Sequence, residues 1–441
     1  MLDARVPRYT SYPTAPHFHG GIGAARLSEW LTKAALDKPI SLYIHVPFCH
    51  HLCWYCGCNT SVTKSDEPIT RFVTALMADI DRTCALLPQR PRIGHLHFGG
   101  GSPNRLSSAQ FERIMERIHA HFDIEPDAEL AIEIDPRFVE DEQILTYAKA
   151  GINRASIGVQ DFDAKVQMAI HRIQPFRQVR NVVDKLRAAG ISAINFDLIY
   201  GLPQQSEASI LNTVKKTLSL APDRIALFGY AHVPWMKKQQ KALERFPMPD
   251  QRQRARLASL ARSRLEDVYQ PIGIDHFAVK GDGLETAMRS MTLRRNFQGY
   301  TTDQAETLLA FGPSSISKLP QGFVQAQSDT ALWMQEVMSD RLTAMRGLAL
   351  SDDDRLRGEI IERLMCALSV DLEAIANQHK IDPAQFLPAL EASKPFLRHG
   401  MASLSGWRLC INPDWRVAAR SIAALFDAYL EGGEKRHSAA V

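Results

Sequence analysis

The chain has no apolar run long enough to cross a bilayer. Its N-terminal segment, MLDARVPRYTSYPTAPHF, lacks the apolar core of a secretory signal. The expected location is therefore cytosolic, with no membrane partner. A strong charge of either sign is also missing. Fifty-two Lys and Arg stand against 49 Asp and Glu, a net charge of +3, and the basic residues are spread along the chain. No nucleic-acid footprint follows. The sequence lacks internal repeats beyond one β/α unit, and it lacks low-complexity tracts. It also lacks evenly scattered cysteines. Of seven, four (Cys49, Cys53, Cys56, Cys58) fall within ten residues, and Cys84, Cys366 and Cys410 stand apart. A disulfide framework is excluded, and metal or redox chemistry is favoured.

What is present is alternation. Short β-branched or apolar runs (Ser41–Val46, Ile93–Phe98, Leu130–Ile134, Ala155–Val159, Ala193–Ile199, Ile225–Tyr230) alternate with stretches of helical period such as Ile69–Leu87, Phe111–Phe122, Gln178–Ala189 and Ser209–Leu220. Six such units predict a parallel sheet with crossover helices. Periodicity alone leaves open a (β/α) barrel or a doubly wound open sheet. Residues 1–40 stand outside the repeat, with one short amphipathic stretch, Leu27–Leu36. After about residue 280 the alternation stops. From 328 the pattern is mainly helical, and 431–441 reads as a frayed tail. The expected division is 1–40, 41–327 and 328–441.

The segment HVPFCHHLCWYCGCNT spaces its thiols Cys49-x3-Cys53-x2-Cys56 directly after the first strand, on the side where β/α barrels carry their chemistry. A cubane cluster is usually tied by four thiolates. Three leave one iron open to chelate the amino and carboxylate groups of S-adenosylmethionine (SAM). One [4Fe–4S] cluster that cleaves SAM to a 5′-deoxyadenosyl radical is the expectation. The rival is zinc held with His50 and His51, although no second Cys clip exists to complete such a site. Cys58 is read as a residue near the cofactor rather than the fourth ligand.

Further candidates sit at strand ends. Gly99-Gly100-Gly101-Ser102 follows the second strand and allows close backbone approach. Glu133 and Asp135 share a face of the third strand. Gln160 with Asp161 ends the fourth. Asp197 is an acid inside an apolar strand, costly unless partnered. Arg172 suits a bidentate carboxylate, although spacing alone favours a surface arginine. His95 and His97 alternate along a strand and read more readily as core histidines than as ligands. Arg294 and Arg295 precede Asn296-Phe297-Gln298-Gly299-Tyr300.

Together these segments resemble the oxygen-independent coproporphyrinogen III oxidases of the radical SAM superfamily. The resemblance runs over nearly the whole chain and is carried by Pro7–Ala15, the cysteine segment through Asn59, Glu133–Arg137, Gly158–Phe162, Phe196–Pro203, Tyr230–Pro234, Asp275–Ala278 and Asn296–Thr302. It implies an α/β fold, a partial (β/α)6-type TIM-like barrel with an N-terminal extension that contributes to the active site and a mainly α-helical C-terminal domain. It implies two SAM molecules. Tyr43, Gly100, Glu133 and Ile316, with the Cys49/Cys53/Cys56 cluster, match positions for the first. Tyr55, Gly101, Ser102, Gln160, Arg172, Asp197 and Ala231 match those for the second. Tyr43, Cys58, Phe297 and Gln298 fall in the catalytic set. The implied reaction turns the ring A and B propionates of coproporphyrinogen III into vinyl groups, giving protoporphyrinogen IX. A small reduced electron-transfer protein is the expected donor, and a monomer is expected because nothing in the sequence demands an oligomer. Arg8, Arg294 and Arg295 are candidates for the substrate's carboxylates. There are departures: Tyr55 stands where phenylalanine is frequent, Ser102–Arg105 replaces a Thr-Pro-Thr pattern, and Arg295 replaces a frequent histidine. The rival within the superfamily is a haem chaperone without decarboxylase activity. Its relatives use a His-Asn pair where this chain has Arg295-Asn296.

Overall fold

A computed structural model describes residues 6–430; the expected frayed tail lies outside them. Six parallel strands form the centre: β1 (Ile40–Val46), β2 (Arg92–Gly100), β3 (Asp123–Ile134), β4 (Arg154–Gln160), β5 (Ala193–Tyr200) and β6 (Arg224–Gly229). They lie side by side in sequence order. No reversal of strand order occurs, so every crossover runs the same way and the doubly wound alternative is excluded. The sheet curls as an open barrel with its helices on one face.

Those helices include α1 (Ala24–Thr32), α2 (Glu67–Cys84), α3 (Ser108–His121), α4 (Asp141–Lys149), α5 (Phe176–Ala188), α6 (Glu207–Leu220) and α7 (Gln251–Glu266). Among the described residues, none is long and apolar enough to cross a membrane. Their apolar stripes cover the outer face of the sheet. Phe98, Phe111 and Tyr147, all buried, meet at ring-centroid distances of 4.9 and 4.8 Å. Losing a ring of this kind costs about 3–5 kcal/mol.

β3 begins seven residues before the predicted start at Leu130. The stretch DIEPDAE is too acidic to read as a strand. Its charges are compensated locally, by Arg90 on Asp123 (2.8 Å) and Arg92 on Glu125 (2.7 Å).

The sheet continues on both sides of these six strands. On one side come β7 (Gln270–Ile272) and β8 (His276–Ala278). A separate hairpin, β9 (Arg294–Asn296) and β10 (Gly299–Thr301), carries Phe297-Gln298 at its tip. On the other side β11 (Leu308–Phe311) pairs parallel with β1, followed by β12 (Ile316–Leu319), β13 (Gly322–Gln325) and β14 (Arg346–Ala349). The twelve-stranded sheet thus takes in β14, past the 327/328 boundary drawn from periodicity. Helix Thr330–Met338 also returns to the barrel, with Trp333 against Phe72 at 5.6 Å. From Asp352 the chain forms α8 (Asp352–Ala367), α9 (Leu372–His379) and α10 (Leu387–Arg398). These pack with a three-stranded sheet of Ser369–Asp371, Ala402–Ser405 and Arg408–Ile411. The C-terminal part is mainly helical, with a core of its own around Ile360, Leu364, Leu372 and Ile422.

The barrel's inner face is polar. At its floor Arg154 meets Glu129 (2.9 Å) and Arg224 meets Asp282 (2.8 Å). This charged plug closes the lumen opposite the carboxyl ends of the strands and directs chemistry to the other end.

Candidate active site

The cysteine loop leaves β1 and is zipped to the glycine loop after β2. Gly101 N–H donates to Val46 O and Ser102 N–H to Phe48 O, both at 2.8 Å. The fit is close enough to require glycine. A Cβ on Gly101 would lie 2.5 Å from Thr60 Oγ1, and one on Gly100, where φ is +111°, would lie 2.7 Å from the His45 ring. Cys49 Sγ sits 3.1 Å from Thr60 Oγ1. Burial pushes the Cys49 thiol up to about 12. The far end of the loop is tied by a segment that sequence reading missed. Gln240 Nε2 donates to Tyr55 O (3.0 Å), Gln239 Nε2 to Cys56 O (2.8 Å) and Lys237 Nζ to Cys58 O (2.8 Å). These contacts span some 180 residues, and no local pattern signals them.

Cys53 is buried between two arginines. Arg137 and Arg172 each reach its Sγ at 3.5 Å. Both are held by Asp135, from Arg137 at 2.6 Å and Arg172 at 3.2 Å. Burial alone raises the Asp135 carboxyl, but Arg172 and Arg137 together bring it down to about 2. Arg172 also donates to Gly158 O at 2.7 Å. It is therefore an interior residue, against the surface reading that spacing favoured. Asn104 joins this cage to the glycine loop: its Oδ1 accepts from Ser102 Oγ (2.8 Å) and from Asp135 N–H (2.9 Å). A thiolate at Cys53 would face two cations. This electropositive setting suits an anionic metal–thiolate group.

The remaining cysteines and histidines separate cleanly. Cys58 N–H donates to Cys56 Sγ at 3.4 Å. The Cys58 side chain is the main reason the Cys56 thiol falls to about 6, and this backbone bond adds to it against burial. His50 and His51 both lie against the Phe138 ring, at 4.4 and 5.2 Å. Among the described residues no three His, Cys, Asp or Glu side chains converge as ligands of a single ion. His95 turns to Asp303 at 3.4 Å on the barrel floor, and His97 to Glu133 at 3.2 Å.

Below the thiols, the inner faces of β1, β2, β3 and β5 bring the other predicted residues together. Tyr43 stacks on His97 with rings 5.9 Å apart. Glu133 accepts from Gly100 N–H (3.2 Å) and His97 Nε2. Asp197 is held protonated up to about 7, by burial first and the Glu133 charge second, against His97 and Arg172. Gln160 takes a left-handed backbone (φ 65°) where β4 bulges beside Gly158. Its neighbour Asp161 turns away, accepting from Gln205 (2.6 Å) and Thr213 (2.7 Å). Ala231 lies next to the Gln240 tie. Ile316 and Phe297 pack in one apolar group with Phe18 of the N-terminal arm and Phe323. The buried Gln298 Oε1 has no hydrogen-bond partner. Arg294 and Arg295 line a cavity of about 620 Å³ under the hairpin. Arg8 goes elsewhere and donates to Gly229 O at 3.2 Å.

Comparison with known proteins agrees with this architecture. Residues 43–217 match the model of the radical SAM superfamily, and 350–414 match that of the HemN C-terminal domain. With the thiol loop at the strand ends of an open barrel, they define a radical SAM protein. Among curated relatives, the oxygen-independent coproporphyrinogen III oxidase of Bradyrhizobium diazoefficiens is 46% identical over 100% of this chain and 98% of its own. That of Paracoccus denitrificans is 42% identical, again over 100% and 98%. The solved coproporphyrinogen III oxidase of Escherichia coli, described as a radical SAM enzyme, superposes with a TM-score of 0.91 at 33% identity, over 97% of this chain and 100% of that one. The chain belongs to the oxygen-independent coproporphyrinogen III oxidase family.

Proposed function

We propose that the chain decarboxylates the ring A and B propionates of coproporphyrinogen III to vinyl groups, giving protoporphyrinogen IX without oxygen. The observation that carries the reading is the cage around Cys53, in which Asp135 aims two arginines at one thiol of the three-cysteine loop. End-to-end similarity to the oxidases supports it. Cys49, Cys53 and Cys56 would hold the cluster. With SAM bound, that cluster would supply a primary carbon radical able to take hydrogen from an unactivated C–H bond.

The residues do the rest. Arg137 and Arg172 offset the negative charge of thiolates and cluster. The glycine loop offers backbone groups to the methionine end of the first SAM, beside Tyr43, Glu133 and Ile316. Tyr55, Gly101, Ser102, Gln160, Arg172, Asp197 and Ala231 receive the second. Cys58, Phe297 and Gln298 face the reacting region, and the orphaned Gln298 Oε1 awaits a donor. A propionate β-carbon is too weakly acidic for a general base to deprotonate it at useful rates. Its hydrogen leaves as an atom to the carbon radical; the substrate radical then passes one electron to an external one-electron acceptor and releases CO2, and the vinyl group remains. Two vinyl groups call for two such events, hence two SAM molecules. An electron-transfer protein as donor and a single cytosolic chain complete the proposal.

The test is anaerobic incubation with coproporphyrinogen III, SAM and a reductant. A divinyl product supports the reading. Cleaved SAM without any vinyl product refutes it.

A further inference from the structure

The 620 Å³ cavity lies between Tyr9–Tyr12 of the N-terminal arm, the β9–β10 hairpin, β12 and α8. Its size is that of a small-molecule site. Phe297 and Phe323 supply apolar walls. Its acids are largely committed. Glu362 accepts from Arg294 (3.2 Å) and from Arg295 N–H (3.1 Å), and Asp303 holds Ser41 and His95. Glu359 accepts from His379 at 3.2 Å. Its cations are not all matched. Arg355 reaches only backbone carbonyls, Pro320 O at 2.6 Å and Leu350 O at 3.4 Å. Arg295 is turned the other way: its guanidinium lies 4.4 Å over Tyr300 and is paired with Asp275 at 4.0 Å. The Lys318 side chain makes no ion pair or hydrogen bond; burial lowers its pKa, opposed at longer range by Glu362, Asp303 and Glu306.

Placement gives the unmatched lysine a role. Lys318 and Ile316 share one face of β12, one pleat apart, roughly 7 Å along the strand. Ile316 packs with Phe297 at the edge of the reacting region. A macrocycle bearing a carboxylate at each corner, laid against Phe297, would bring one corner into the chamber. A lone ammonium in a half-dry cavity is what such a carboxylate requires.

We propose that this chamber receives the tetrapyrrole and that the Lys318 ammonium, with Arg355 on the helical wall, binds a propionate that the reaction leaves unchanged. The inference rests on the decarboxylase reading. Lys318 acts as a specificity and positioning residue, since it touches the substrate away from the reacting carbon.

The experiment compares wild type, Lys318→Met and Lys318→Arg as anaerobically reconstituted holoenzymes. KM and kcat for coproporphyrinogen III, iron per chain and Kd for the oxidised tetracarboxylate coproporphyrin III (by fluorescence quenching) are measured. Lys318→Met should raise KM and Kd about tenfold or more, with kcat and iron content unchanged, and Lys318→Arg should restore most of the affinity. An unchanged Kd in Lys318→Met overturns the proposal, as does a wild type that binds no coproporphyrin. A lysine that merely steadies Glu362 would lower the melting temperature and leave Kd alone, which also overturns it. If wild type binds coproporphyrin but forms no vinyl product, the decarboxylase reading fails, and the Kd ratio alone decides the Lys318 contact.

Discussion

Gly101 is where one methyl group should disable the chemistry without touching a thiol. An added Cβ would meet Thr60 Oγ1 at 2.5 Å and Phe48 O at 2.7 Å, whereas ordinary contacts begin near ~3.5 Å. Something must move by about 1 Å. Neither obstacle is free to do so alone. Phe48 O accepts the Ser102 N–H, and Thr60 Oγ1 lies 3.1 Å from Cys49 Sγ. The displacement therefore passes to the first cysteine of the loop. Overpacking of this kind costs about 1–3 kcal/mol, and a 1 Å misplacement at a reacting centre costs about a hundredfold in rate. Gly101→Ala should lose at least half its iron and sulfide after anaerobic reconstitution. Its 5′-deoxyadenosine formation should fall about a hundredfold. Gly20→Ala, where the new methyl meets nothing within 4 Å, serves as control. A Gly101→Ala protein with iron content and deoxyadenosine output equal to wild type would refute the coupling between the two loops.

Two further outcomes test the site. Cys58→Ser should keep the iron content of wild type, because Cys58 meets Cys56 only through a hydrogen-bonded contact; Cys53→Ala should lose the cluster and all deoxyadenosine, and equal iron loss in both would make Cys58 a ligand. Asp197 carries a pH signature: its folded carboxyl keeps its proton up to about 7, against an ordinary value of about 3.9, so the folded state binds the extra proton in that window and stability falls as pH rises through it. Denaturant midpoints of the cofactor-free chain should then show Asp197→Asn gaining on wild type from pH 4 to 7, by at most ~4 kcal/mol; a pH-independent gap would refute the assignment.

The barrel was legible because parallel strands buried on one face and half-buried on the other are short, apolar and β-branched, as in Ala193–Tyr200. The thiol loop was legible because its ligand spacing is local. Sequence reading failed where partners are remote. Asp123–Glu129 hid its strand behind charges, of which Arg90, Arg92 and Arg154 neutralise Asp123, Glu125 and Glu129. β11 to β14 are only four residues each, too short for a period to show. Arg172 looked like a surface residue until Asp135, Gly158 and Cys53 closed around it. The 237–240 tie and Lys318 gave no signal at all, since each has meaning only through what the fold sets opposite it.

The central claim is that a radical made in this barrel takes hydrogen from a propionate of coproporphyrinogen III. Substrate deuterated at the propionate β-carbons tests it directly, by mass spectrometry of the 5′-deoxyadenosine formed under anaerobic turnover. The account predicts one deuterium in each deoxyadenosine and two deoxyadenosines per divinyl product. Vinyl product accompanied by unlabelled deoxyadenosine would contradict it.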